Sequence, residues 1–196
     1  MEEKSAKIAV IVGSPNKESR LNGLVWYVAE KLSAAENVEF QRIHTADLPP
    51  ADLVFARFDS PDVRSANRKV EEADAVVVAS PVYKASYSGV LKAYLDLLPQ
   101  KALEGKIVLP LMIGGTISHL LAAEYALKPV LSALGARHIL GGVFAVDTWV
   151  TKSGQDRYEL TGELRQRLDD SAAQLLQELS LRVQSLHKPV YIGVKS

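Results

Sequence analysis

The chain has 196 residues, 47% of them hydrophobic and 23% charged, which is enough apolar material for the core of a globular protein. Lys plus Arg and Asp plus Glu both number 23, so the formal charge is zero, and no electrostatic footprint for nucleic acid or an anionic membrane surface is expected. Cysteine is absent, which excludes disulfides, thiolate zinc sites, iron–sulfur clusters and a cysteine nucleophile; any redox chemistry must come from a bound cofactor.

No run approaches the roughly 18 to 20 apolar residues of a membrane span. The apolar stretch in MEEKSAKIAVIVG stops at Gly13, too soon for a signal-peptide core, and a cytoplasmic protein is expected. Residues 8–12 (IAVIV) form a β-branched run of the kind buried on both faces of a sheet. A helix follows from about Asn22, with Leu24, Val25, Val28, Ala29 and Leu32 on one face. Residues 38–43 alternate as an edge strand would, and a polar connection with Pro49, Pro50 and Pro61 leads to a charged helix over 63–73. Residues 75–79 (AVVVA) read as a buried strand, 88–98 as a helix, 107–113 as a further strand and 118–134 as a long helix. Residues 138–146 read as a fifth strand interrupted by Gly141 and Gly142, and 161–186 as a closing helix striped with Leu164, Leu168, Ala172, Leu175, Leu176 and Leu179. Pro110 falls inside the 107–113 run, where it cannot donate to a ladder, so a bulge or irregularity is expected there.

Strands alternating with helices predict an α/β fold, a five-stranded parallel sheet with helices on both faces. The flavodoxin-like order 2-1-3-4-5 is the simplest right-handed solution. It makes one domain of residues 1–196, with tails at about 1–6 and 188–196. In that order ligands sit outside the carboxyl ends of the strands, so the loops after the first, third and fourth predicted strands are expected to share one pocket.

The first of these loops, residues 13–22, offers Ser14, Ser19, Arg20 and Asn22 just before a helix, a set suited to a phosphate. It has neither the G-x-G-x-x-G of a dinucleotide site nor the Gly-Lys-Ser/Thr of a P-loop, so a terminal phosphate is the better fit; an ordinary polar loop capped by Ser19 or Asn22 is the alternative. The second, residues 80–89, has Pro81 to stiffen its exit and Tyr83 and Tyr87 as flat aromatic faces, with the backbone of Val82 to Lys84 free to meet the polar edge of a planar ring. Its alternative makes Ser88 a helix N-cap and the tyrosines packing residues. The third, Gly114-Gly115-Thr116, allows close approach of a flat ligand to the main chain, or is simply a turn.

GSPNKESRLNGL, SPVYKASYSGVLKAYLDLLP and LPLMIGGTISHLLAAEYALKPVLSALGA, in this order and spacing, resemble the NADPH-dependent FMN reductase family, in particular the FMN reductases of two-component alkanesulfonate monooxygenase systems. The resemblance runs from about Lys7 to Asp147. It implies FMN in the pocket and hydride transfer from NADPH to the flavin. It further implies that reduced FMN is delivered to a partner flavin-dependent monooxygenase in sulfur acquisition. By the same resemblance Ser14, Asn16, Ser19, Arg20 and Asn22 hold the FMN phosphate, Pro81, Val82, Tyr83, Lys84 and Ser88 face the isoalloxazine and ribityl parts, and Gly114, Gly115 and Thr116 line the far side. Many relatives carry arginine where this chain has Asn16, and Arg20 is the cation that could replace it.

Pro129 lies inside the predicted fourth helix and cannot donate to the carbonyl of Tyr125. An interior proline costs about 3 kcal/mol and is commonly accommodated by a kink or a π-bulge, so local widening around Tyr125 is expected. The sulfonate-linked reductases are similar in having a tyrosine inserted in a π-helix at a subunit interface close to the flavin, which makes Tyr125 its equivalent; a Tyr packed beside a proline bend is the alternative. Surplus apolar positions at Tyr94, Leu95, Leu97, Leu98 and in the fourth helix suggest a homo-oligomer, with a broadly buried helix as the alternative, and the resemblance implies a dimer of dimers. His44, His119, His138 and His187 show no metal-ligand spacing, and no G-x-S-x-G elbow occurs. A quinone, azo or metal-ion reductase of the same fold stays open, whereas a flavodoxin-type carrier, an acidic class, fits poorly with zero net charge.

Overall fold

The β-branched run near the N-terminus forms β1 (Ala6–Val12), sending Ile8, Val10 and Val12 to one buried face and Ala9 and Ile11 to the other. In the computed structural model, which describes residues 5–35, 37–154 and 156–186, the chain continues through α1 (Leu21–Ser33), β2 (Val38–His44), α2 (Pro50–Val54), α3 (Pro61–Glu72), β3 (Ala75–Tyr83), β4 (Ser86–Tyr87) and α4 (Gly89–Leu95). Then come β5 (Ile107–Gly114), a π-helix (Ala123–Leu127) running into α5 (Lys128–Ala133), β6 (His138–Ile139), β7 (Val143–Val146), β8 (Val150–Gly154), β9 (Arg157–Leu160) and α6 (Gly162–Leu186). The expected tail at 188–196, and His187, lie outside the described residues; Ala6, expected in the leading tail, already belongs to β1.

The main sheet runs β2-β1-β3-β5, with β6 and then β7 lying along the far side of β5, all parallel. Counted by position this is the 2-1-3-4-5 order of a flavodoxin-like fold. Helices α1 and α6 cover the face carrying Val10 and Val77; α3, α4 and α5 cover the face carrying Ile11 and Val78. Charged α3 belongs because Val63, Ala66 and Val70, spaced for one helical face, are its buried residues.

The irregularity expected at Pro110 is present, but on the neighbouring strand. Along β3 the register of β5 is unbroken, with Val78 opposite Pro110. On the other side Val108 pairs with Ile139 and Leu111 with Val143, so two residues of β5 face the three residues 140–142. The Leu140 amide donates to the Val108 carbonyl, so Val108, and with it Pro110 two residues on, turns its polar groups to this side. The missing N–H of Pro110 therefore falls where the fifth strand breaks. Gly142, at φ +73°, completes the break; a Cβ there would stand 2.6 Å from the Pro110 carbonyl oxygen.

Three short elements have no counterpart in the sequence-based expectation: α2, β4 and the antiparallel β8–β9 hairpin. The long fourth helix is also not continuous, being a 3-10 turn (Ile117–His119), then the π-helix, then α5.

Candidate functional site

Because β1, β3 and β5 run parallel, the loops that follow them all lie at the carboxyl end of the sheet, and short contacts fasten them together. The Gly13 amide donates to the Ala79 carbonyl at 2.7 Å, and the Ser88 hydroxyl donates to the Gly13 carbonyl. A Cβ on Gly13 would lie 2.6 Å from the Leu91 Cβ, so only glycine lets α4 approach this close. A Cβ on Gly114 would stand 3.3 Å from Val82 and 3.1 Å from Phe144.

The loop at 13–22 is ordered by its own side chains. Ser14, wholly buried, donates to the Asn16 carbonyl at 2.9 Å and accepts from the Asn16 amide at 3.2 Å. Asn22, 2% exposed, donates to the Lys17 carbonyl at 2.7 Å and receives the Arg42 guanidinium at 3.4 Å. These two side chains shape the loop and are not presented outward. Asn16 accepts the Glu18 amide at 2.8 Å and Ser19 accepts the Leu21 amide at 3.2 Å, which leaves the Asn16 NH2 and the Ser19 O–H as donors. Lys17 pairs with Asp47, whose carboxyl is held below its usual range by that contact, and Glu18 pairs with Lys152. Arg20 is exposed and has no carboxylate partner among the described residues. The amides of Lys17 and Arg20 likewise find no acceptor among them. The outward-facing set is thus one guanidinium, one amide NH2, one hydroxyl and two backbone N–H groups, a donor set that matches the oxygens of a phosphate monoester.

The second loop is a β3–β4 hairpin in which Tyr83 pairs with Ser86. Its central residues Lys84 and Ala85 have φ of +50° and +60°, a left-handed pair that usually needs Asn-Gly. Such strain persists only where the surroundings impose it, and it holds the exposed Tyr83 and Lys84 at the rim. Pro81 is buried within the ladder opposite Ile113 and Val82 is half-buried. Ser88 is the N-cap of α4: its oxygen accepts the Leu91 amide at 3.1 Å, its own amide donates to Ser80, and at 1% exposure its hydroxyl is already committed. The packing alternative therefore describes that side chain. In the third loop Gly114 is buried as the last residue of β5, whereas Gly115 and Thr116 are exposed with amides that have no acceptor among the described residues. Asp147, not singled out from sequence, sits 3.9 Å from where a Cβ of Gly115 would be, so a carboxylate borders this edge.

The widening expected at Tyr125 is observed as the π-helix, closed by the Lys128 amide donating to the Ala123 carbonyl five residues back. Pro129 then falls in the first turn of α5, where no N–H is required of it. The π-helix lies against β4, beside the aromatic loop. Tyr125 is 79% exposed, and Ile117, Leu120 and Leu121 of the same segment and Tyr83 of the aromatic loop are exposed too. A concavity of about 960 Å³ between α3 and residues 97–100 is lined by none of these loop residues.

Among the described residues no helix is long and apolar enough to cross a membrane. A family model described as NADPH-dependent FMN reductase matches residues 6–151. An FMN reductase (NADPH) of Escherichia coli (strain K12) is 47% identical over 176 residues, 90% of this chain and 91% of that protein. One of Pseudomonas putida is 43% identical over 188 residues, 95% and 93% of the two chains. The solved apo form of an NADH:FMN oxidoreductase (EMOB) superposes with a TM-score of 0.80 at 32% identity, covering 89% of this chain and 90% of that one.

Proposed function

The chain belongs to the NADPH-dependent FMN reductase family, and on that premise we propose that its single flavodoxin-like domain, acting in the cytoplasm, reduces FMN with NADPH and passes the product to a flavin-dependent monooxygenase that acts on alkanesulfonates. The observation that carries the site assignment is the outward donor set of the loop after β1, which suits a phosphate monoester and continues into a rim of free amides and aromatic rings. In this reading Asn16, Ser19 and Arg20 contact the phosphate, and Ser14 and Asn22 hold the loop in shape. Val82, Tyr83 and Lys84 border the ring system, with Pro81 and Ser88 fixing their backbone, and Gly114, Gly115 and Thr116 form the opposite side.

Bound FMN would accept hydride from the reduced nicotinamide, chemistry that asks the protein for orientation and exclusion of water rather than for an acid or base. This accords with a site built from backbone, hydroxyl and amide groups. Tyr125 is assigned to the interface between copies in a homo-oligomer, a dimer of dimers, where its ring reaches the flavin of the site. Its exposure, the π-helix and the apolar residues around it support that role.

The test is NADPH oxidation followed at the nicotinamide absorbance band with and without added FMN, with quinone and azo acceptors alongside. FMN-dependent oxidation is expected. Oxidation no faster than background, or preference for a quinone, would remove the FMN reductase reading; a tightly held yellow flavin without turnover would point to a carrier.

A further inference from the structure

The β8–β9 hairpin begins at Val150, and the family match ends at residue 151, so the hairpin lies almost wholly beyond the matched segment. It nevertheless meets the start of α1 at two places and the loop before it at a third. Tyr158 and Val150 press on the helix where Gly23 leaves room: a Cβ there would stand 2.9 Å from the Tyr158 Cβ and 3.0 Å from the Val150 Cγ1. Tyr158 packs edge-on against Trp26, one turn further along the helix, with ring centroids 5.6 Å apart. Lys152 pairs with Glu18, 134 residues away in sequence and inside the loop at 13–22. On the adjacent residue, Lys17 ties the same loop to Asp47 behind β2. The loop is therefore gripped from two separate elements through two consecutive side chains.

We infer that the β8–β9 hairpin is a brace on this loop, with Lys152 as a positioning residue that holds Glu18 and so keeps the donors of Asn16, Ser19 and Arg20 in phosphate-binding register before flavin arrives. The inference rests on the assignment of that loop to the FMN phosphate. Its physical content is preorganisation. A loop of exposed residues loses conformational freedom when it closes on a ligand, and contacts that restrict it beforehand reduce that loss. The hairpin supplies such contacts from one side, through an apolar anchor on Gly23 and an ionic one on Glu18. Neither anchor is itself one of the donors that face the ligand.

The experiment compares the full-length protein with Lys152→Gln, Glu18→Gln and the double variant. FMN and riboflavin affinities are measured by flavin fluorescence, and amide hydrogen exchange of the loop is followed in flavin-free protein. In the parent, FMN binds more tightly than riboflavin. Each single variant loses about three- to fivefold in FMN affinity, the scale of one exposed ion pair, with riboflavin affinity unchanged. The double variant is no worse than either single one, and the amides of Ser19, Leu21 and Asn22 exchange faster in all three. Tyr158→Ser, which removes the apolar anchor, gives the same pattern more strongly. Unchanged exchange and FMN affinity in the single variants, additive losses in the double one, or tighter FMN binding by Glu18→Gln would overturn the brace. Faster exchange in a protein whose parent does not distinguish FMN from riboflavin would instead overturn the phosphate assignment, and with it the role in flavin binding.

Discussion

The loop after β1 and the segment after β5 border the same end of the sheet and are built in opposite ways. In the first, buried Ser14 and Asn22 spend their side chains on the loop itself, and what remains outward is a small set of donors. In the second, Ile117, Leu120, Leu121 and Tyr125 stand exposed along 3-10 and π turns, and the side-chain bonds of the segment, Thr116 with Ser118 and Lys128 with Glu124, lie at its surface. A phosphate end can be complete within one chain because its ligand is charged and small. An apolar rim exposed to water is stable in an assembly only when something covers it. On the proposed function, the difference separates a preformed grip on the phosphate from a surface that a second copy would cover.

That comparison can be broken in graded steps. Gly13→Val is the most severe, since its side chain would enter space held by Leu91; overpacking of this kind costs about 3 kcal/mol, and denaturant unfolding should show the loss. Arg20→Gln should leave stability unchanged and weaken FMN on the order of tenfold while sparing riboflavin, because one charge-assisted contact is worth about 1.5 kcal/mol or more. Equal loss for both flavins in a titration would show that Arg20 does not serve the phosphate.

A pH effect should appear beside the same loop. His44 is 7% exposed at the end of β2; its Nδ1 accepts the Ala46 amide at 3.2 Å, and its Nε2 is buried without a hydrogen-bond partner among the described residues. Burial holds the imidazole below its ordinary range, with Arg42 and Lys17 adding to the effect and Asp47 opposing it. The folded state thus prefers the neutral ring. Its contribution to stability is complete above the unfolded value of about 6.5 and declines as pH falls from there toward the folded one. His44→Asn keeps an acceptor for Ala46 and cannot titrate, so its unfolding midpoint should be flatter over that acid limb; an unaltered slope would assign the acid sensitivity elsewhere. Tyr125→Ala should be the mildest for the isolated fold, within about 0.5 kcal/mol, because the ring is exposed. It should still change oligomeric state by light scattering and turnover with free FMN. A variant matching the parent in both would show that the open rim has no special use for this tyrosine.

The alternation of buried runs and striped helices made the sheet order legible, and Pro129 made the π-helix legible, because both follow from local hydrogen-bonding rules. The β8–β9 hairpin was not. Its strands are four and five residues long and largely polar, with Val150 and Leu160 as their buried residues, so no hydrophobic run announces them. Residue type placed the candidate phosphate loop correctly at the carboxyl end of the sheet. It could not say that the Ser14, Asn22 and Ser88 side chains serve the backbone while Asn16, Ser19 and Arg20 face outward, since a hydroxyl or amide suits either task. Asp147 and Lys152 reach the site only through the tertiary fold, and no spacing in the chain points to them.

The broken fifth strand has a consequence for how these molecules meet one another. A long straight edge strand is a template on which a neighbouring chain can add its own backbone, the first step toward aggregation. Here that edge consists of a two-residue piece and a four-residue piece set apart by the left-handed turn at Gly142, itself placed where Pro110 has no N–H to offer. A proline inside a central strand thereby keeps an outer one too short to recruit strangers. At this edge a second copy would have to meet side chains, which can be selective, rather than a continuous run of backbone; the sheet's other edge, β2, keeps an unbroken strand of seven residues.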